Sequence, residues 1–79
     1  MFLGTPIRLW NNWRARRKRV RYYASCLGAY TPNELLTEAN VFTLAKADAR
    51  RRRDRGDYAE AAGKLAAVWR EVDRRDLGR

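Results

Sequence analysis

Histidine is absent from this sequence, and cysteine occurs once, at Cys26. No Cys/His zinc site and no intramolecular disulfide can be built from that inventory. A nucleophilic Cys26 would also lack the histidine base that usually activates such a thiol. Proline is confined to Pro6 and Pro32, and both fall where a helix is expected to start. No apolar run approaches the ~18 residues that a membrane-spanning helix needs. Carboxylates are missing from the opening third, where Glu34 is the first. The nine in all, Glu34 included, fall at helix caps or on polar faces, with no pair spaced for acid–base work, and there is no glycine-rich phosphate loop. The expectation is a protein that is not an enzyme, with no catalytic residue, no metal and no cofactor.

What is present is positive charge, unevenly placed. Arg14 to Arg21 carries six cations in eight residues: Arg14, Arg16, Arg17, Lys18, Arg19 and Arg21. Trp10 and Trp13 precede this run, and Tyr22 and Tyr23 follow it. The formal charge is +7 over residues 1–30 and +2 over residues 31–79, so the basic balance belongs to a face. A chain of 79 residues forms one domain at most and buries only about 60% of the surface its unfolded form exposes. Its core is thin, and below about 80 residues such a core is commonly supplemented by oligomerisation or by docking into a larger assembly.

Hydrophobic periodicity predicts an all-α fold in which a basic amphipathic helix (residues 1–30) is followed by an antiparallel helical hairpin (residues 31–79). The first helix is expected from Pro6, capped by Thr5, to Leu27, with Gly28 as its stop. On a 100° wheel Leu9, Trp13, Val20, Tyr23, Ala24 and Leu27 share one side. Thr31-Pro32-Asn33-Glu34 reads as a capping box that opens a second helix over residues 32–54. That helix carries Leu35, Ala39, Phe42, Ala45 and Ala49 on one side and Val41 and Leu44 elsewhere. Apolarity on more than one side predicts the central position, between two neighbours. Gly56 is expected as the left-handed stop and Asp57 as the next cap, with the third helix over residues 58–75. Its apolar arc is Tyr58, Ala61, Ala62, Leu65, Val68, Trp69 and Val72. Lys64, Glu60, Glu71 and Arg74 lie opposite.

The Arg14–Arg21 run admits three partners. Cations of this density neutralise nucleic-acid phosphates, and Trp10, Trp13, Tyr22 and Tyr23 could stack on unpaired bases. They also suit an anionic membrane surface or an acidic protein groove that accepts a basic helix. The plain alternative is a solvated charged face whose aromatics pack internally. Arg50–Arg53 is read first as a helix end whose cations complement the helix dipole, and second as a further anion site. Trp69 is assigned to the core and Cys26 to the helix surface. The leading expectation is nucleic-acid binding through the first helix. The alternative is a small accessory subunit docked through that Trp-bearing helix, in a homo- or hetero-oligomer. The lone cysteine suits a reducing compartment, the cytoplasm or, given an acid-free Arg-rich start, the mitochondrion. The start lacks the apolar segment of a secretory signal.

Two local resemblances accompany this reading. Arg55-Gly56-Asp57-Tyr58-Ala59-Glu60-Ala61 resembles the turn of a tetratricopeptide repeat, although Arg52 stands where that pattern has an aromatic residue. The resemblance implies a helical hairpin. Ile7-Arg8-Leu9-Trp10-Asn11 is similar to the head of LYR-motif proteins, with Leu-Trp-Asn in place of Leu-Tyr-Arg and no downstream phenylalanine. That family would imply a small three-helix mitochondrial subunit.

Overall fold

The structure, a computed structural model, describes the backbone of residues 4–77 and the side chains of residues 11–77. The described residues form an all-α fold of three helices. They are α1 (Gly4–Cys26), α2 (Pro32–Arg51) and α3 (Arg55–Arg74), with a short 3-10 turn at Leu27–Ala29. Helix α1 includes Thr5 and Pro6, and the Thr5 side chain expected as its cap lies outside the described residues. None of the described helices is long and apolar enough to cross a membrane.

The start of α2 follows its residues closely. Thr31 is extended, and its hydroxyl accepts from the Glu34 amide at 3.2 Å, while the Glu34 carboxylate accepts from the Thr31 amide at 2.7 Å. Two amides that the helix itself leaves unpaired are thereby satisfied. The other end departs from expectation. Helix α2 stops at Arg51, and the left-handed residue is Arg53 (φ 58°), not Gly56. The Asp54 amide donates to Ala49 O at 2.9 Å and the Arg53 amide to Arg50 O at 3.1 Å, which is a Schellman closure with arginine in the glycine position.

Helix α3 then starts at Arg55, capped by Asp54, whose carboxylate accepts from the Asp57 amide at 2.9 Å. Both Asp54 and Asp57 are cap-type residues. The tight Schellman turn leaves Asp54 as the extended residue, so Asp54 takes the role and Asp57 falls inside the first turn. A second Schellman closure, at Asp76 (φ 58°), ends α3.

The packing order also differs from the expected one. Helices α2 and α3 form the antiparallel hairpin, but α3 is the central helix, flanked by α2 on one side and by α1 on the other. The buried residues are Leu27, Leu35, Ala39, Ala49, Ala61, Ala67, Val68 and Val72. Tyr23, Phe42, Leu65 and Trp69 pack around them, which places Trp69 at the core as expected. Helix α1 reaches α2 through Tyr23, whose ring meets Phe42 edge-on at 5.2 Å and whose hydroxyl donates to Glu38 at 2.6 Å.

Helix α3 can be central because its polar side is not a solvent face. Gly56 and Gly63 lie on it, and a Cβ at Gly63 would come within 3.1 Å of Val20. That absence of side chains lets α1 approach. At the far end the Arg75 guanidinium donates to Tyr30 O (2.7 Å), Leu27 O (2.9 Å) and Gly28 O (3.1 Å), clamping the 3-10 turn to the end of α3.

Helices α1 and α3 run in the same direction: the Arg16 guanidinium reaches Asp57 near the start of α3, and Leu27 O, just after α1, accepts from Arg75 at its end. The first turns of α1 therefore project past the α2–α3 turn. The overall extents, 52 × 26 × 14 Å, are those of three helices side by side in a thin slab. The radius of gyration, 14.7 Å, exceeds the about 12 Å of a compact chain of this size.

Candidate nucleic-acid interface

The Arg14–Arg21 run does not act as one unit. Residues three and four apart share a helix face, and Arg16 shares the packing face of α1 with Val20, Tyr23 and Leu27. Its guanidinium reaches Asp57 at 2.8 Å and Glu60 at 3.2 Å, both on α3. Arg19 approaches Glu60 from the other border of that face in a two-pronged contact, Nε at 3.0 Å and Nη2 at 2.8 Å. Lys64 Nζ completes the cluster at 3.1 Å from Glu60. The Arg19 fork is the main cause that holds the Glu60 carboxyl down to about 2. Arg16 chiefly, with Arg52, lowers Asp57.

Two of the six cations predicted for the binding surface are thus ties between α1 and α3. Glu60 and Lys64, expected on a solvent arc, are largely covered at that junction. The reason is the central position of α3, which gives it two packing faces. Tyr23, expected as a stacking residue, is also committed. Burial, with the Glu38 carboxylate beside it, pushes its phenol well above the ordinary tyrosine value.

The other flank of α1 remains outward. Arg14, Arg17, Lys18 and Arg21 succeed one another at i, i+3, i+4 and i+7 and are all exposed. Trp13 is 52% exposed beside them, with the Arg17 guanidinium 4.7 Å from its ring centroid. Tyr22 is exposed as well. The Trp10 side chain lies outside the described residues. Trp13, Arg17, Arg21 and Arg55 line a groove of about 480 Å³ between α1 and α3.

The α2–α3 turn adds cations that the sequence left undecided. The Arg50–Arg53 run divides. Arg51 and Arg52 pair with Asp48 at 3.1 Å and 2.9 Å, and Arg52 also meets Asp57 at 3.2 Å. These arginines, Arg52 foremost, lower the Asp48 carboxyl. Arg50 and Arg53 instead line a hollow of about 370 Å³ together with Arg55 and Tyr58. Tyr58, expected in the core, is 37% exposed there and carries Lys46 Nζ 5.4 Å from its ring centroid.

Among the described residues Arg17, Lys18, Arg21, Arg50, Arg53 and Arg55 make no ion pair. The carboxylates at this end of the molecule, Asp48, Asp54, Asp57 and Glu60, all hold other arginines. The outcome is a positive surface with three exposed aromatic rings, Trp13, Tyr22 and Tyr58, and, among the described residues, no unpaired carboxylate at this end. Arg55 and Tyr58 were missed as site residues. Their signal was the turn itself, which brings the cations after α2 beside those of a helix parallel to α3.

No protein-family model matches this sequence, no curated protein matches it, and no solved structure matches its fold. The tetratricopeptide and LYR resemblances accordingly extend no further than the local residues that carry them.

Proposed function

We propose that this protein is a non-enzymatic binding module for nucleic acid, and that the outward flank of α1 and the α2–α3 turn form its contact surface. The observation that carries the reading is the division of the arginines. Arg16 and Arg19 meet carboxylates that hold α1 to α3, Arg51 and Arg52 pair with carboxylates around the end of α2, and Arg17, Lys18, Arg21, Arg50, Arg53 and Arg55 face outward without a counter-charge. Guanidinium groups so arranged suit the repeating phosphates of a nucleic acid, with release of condensed counterions as the main source of affinity.

The test is fluorescence anisotropy with labelled nucleic acid at low salt. The wild-type chain is expected to bind in the micromolar range. Replacing Arg17, Arg21 and Arg55 together by Gln should weaken binding of every sequence alike, because phosphate contacts carry no base information. Failure of the wild-type chain to bind at low salt would end this reading. Equal binding to anionic lipid vesicles and to nucleic acid would assign the surface to membranes instead.

The accessory-subunit reading keeps one observation in its favour, and it concerns α2 rather than α1. Val20, Tyr23 and Leu27 on the apolar side of α1 pack against the hairpin, whereas Leu36, Val41 and Leu44 on the outer side of α2 are 51%, 48% and 70% exposed. Under that reading Leu44→Glu releases the protein from its complex and leaves nucleic-acid binding intact.

A further inference from the structure

We infer that the ligand of this surface is single-stranded nucleic acid, held as successive nucleotides in two aromatic-walled hollows that share Arg55. The inference rests on the reading above and narrows it from polyanion to unpaired strand. The first hollow lies between α1 and α3 and has Trp13 as its aromatic wall, with Arg17 and Arg21 beside it. The second lies at the α2–α3 turn and has Tyr58 as its aromatic wall, with Arg50 and Arg53 beside it. Arg55 lines both. On the α3 wheel Arg55 falls between Tyr58, three residues on, and Ala59, four residues on, so its guanidinium stands on the ridge that separates the hollows.

Each hollow thus offers what one nucleotide presents when it is not paired. A partly exposed ring can take the face of a base, and guanidinium groups can take the flanking phosphates. Both rings are steadied by a cation, Trp13 by Arg17 at 4.7 Å and Tyr58 by Lys46 at 5.4 Å. The carboxylates in the two linings are already engaged. Asp54 caps α3 and lies 3.5 Å from Arg52, and Glu60 holds Arg16, Arg19 and Lys64. Neither is left to repel a phosphate.

A duplex could satisfy the cations but not the rings. Its bases are stacked on one another, and only their edges reach the grooves. The rings of Trp13 and Tyr58 are partly exposed walls of open hollows, and only an unstacked base offers them a face to lie on. The spare arginine on the ridge then lies where the phosphate linking two inserted bases would pass.

The experiment uses the full chain and three fluorescent probes of equal length, about twelve nucleotides. They are a single strand, the matching duplex, and a base-free strand with the same number of phosphates. The single strand is expected to bind at least roughly ten-fold more tightly than the base-free strand, since stacking adds to each occupied hollow. It should also bind more tightly than the duplex. Trp13→Leu and Tyr58→Leu should each weaken single-strand binding about five-fold or more and leave base-free binding unchanged. Arg55→Gln should weaken all three. Equal binding of the single and base-free strands, or preference for the duplex, would overturn the inference while leaving the polyanion reading in place. Absence of binding to all three probes would remove both. The probe comparison is made on the wild-type chain, so it does not depend on any variant folding.

Discussion

Arg53 holds a left-handed backbone conformation, φ 58°, at the position of a Schellman closure where glycine is the usual occupant. A branched-chain or long side chain there costs about 1 kcal/mol or more relative to glycine. Its guanidinium meets no carboxylate and lines the Tyr58 hollow. The position therefore sets local stability against a charged contact. Arg53→Gly should raise stability by about 1 kcal/mol in thermal or urea unfolding and at the same time weaken nucleic-acid binding. A variant that gains stability and binds as before would show that Arg53 has no part in the contact surface.

Glu60 makes the opposite kind of contribution. Its carboxyl, held to about 2 first by Arg19, is ionised more easily in the folded chain than in the unfolded one, where it titrates near its ordinary value. A lowered folded-state value stabilises the fold above the unfolded value, and that contribution is lost as pH falls through it towards 2. The tie is small, about 1–2 kcal/mol after solvent screening. Unfolding temperatures should therefore fall between about pH 5 and pH 2, and Glu60→Gln should lower stability at pH 7 and flatten that acid limb. Asp48, Asp57 and Glu71 are lowered in the same sense by their arginines, so some acid sensitivity should persist in the variant.

At the scale of the helices, the number, the type and one boundary could be read from residues alone. Thr31, Pro32 and Glu34 announced the start of α2, and the structure uses all three in that role. Apolar periodicity placed Val68, Val72 and Leu35 inside, where they are fully buried. The packing order was not legible, because apolarity was taken as the sign of the central helix. Helix α3 is central by another route. One of its faces is apolar, and the other is built from Gly56 and Gly63 for close approach and from Asp57 and Glu60 for Arg16 and Arg19. In the sequence Gly56 looks like a stop signal, Asp57 like a cap and Glu60 like a solvent charge, and Gly63 carries no signal of its own. Their joint role appears only once the arginines of α1 are brought alongside, and pairs more than 40 residues apart carry no local periodicity.

The same displacement explains why Leu44, expected at a second helix contact, is 70% exposed. It also explains why half of the candidate site was visible. Arg17, Lys18 and Arg21 could be read from one helix, whereas Arg55 and Tyr58 join them through the turn. The α1–α3 contact is open to a direct check. Gly63→Leu places a side chain where Val20 lies within van der Waals reach, and overpacking of that kind costs about 1–3 kcal/mol. The hairpin contacts are elsewhere on α3. Limited proteolysis of the variant should therefore cleave within α1 before α2 or α3. Cleavage in unchanged order would contradict the central placement of α3.

For the whole molecule, the thin slab and the net charge of +9 act together. Three helices in a single layer leave little interior, and the carboxylates near the α2–α3 turn are taken up by other arginines, Asp57 and Glu60 in the ties between α1 and α3 and Asp48 and Asp54 around the turn itself. The excess charge is thereby pushed to one end, where α1 projects beside that turn. The central claim is that this end meets a phosphate chain. Its most direct measurement is the affinity of the wild-type chain for a single strand across a salt series from about 50 to 200 mM. Six outward cations, at about 0.7 released counterions per contact on a single strand, predict a slope of about −4 in log K against log salt. A slope between zero and about −1 would mean that no such array of contacts forms, and would contradict the account.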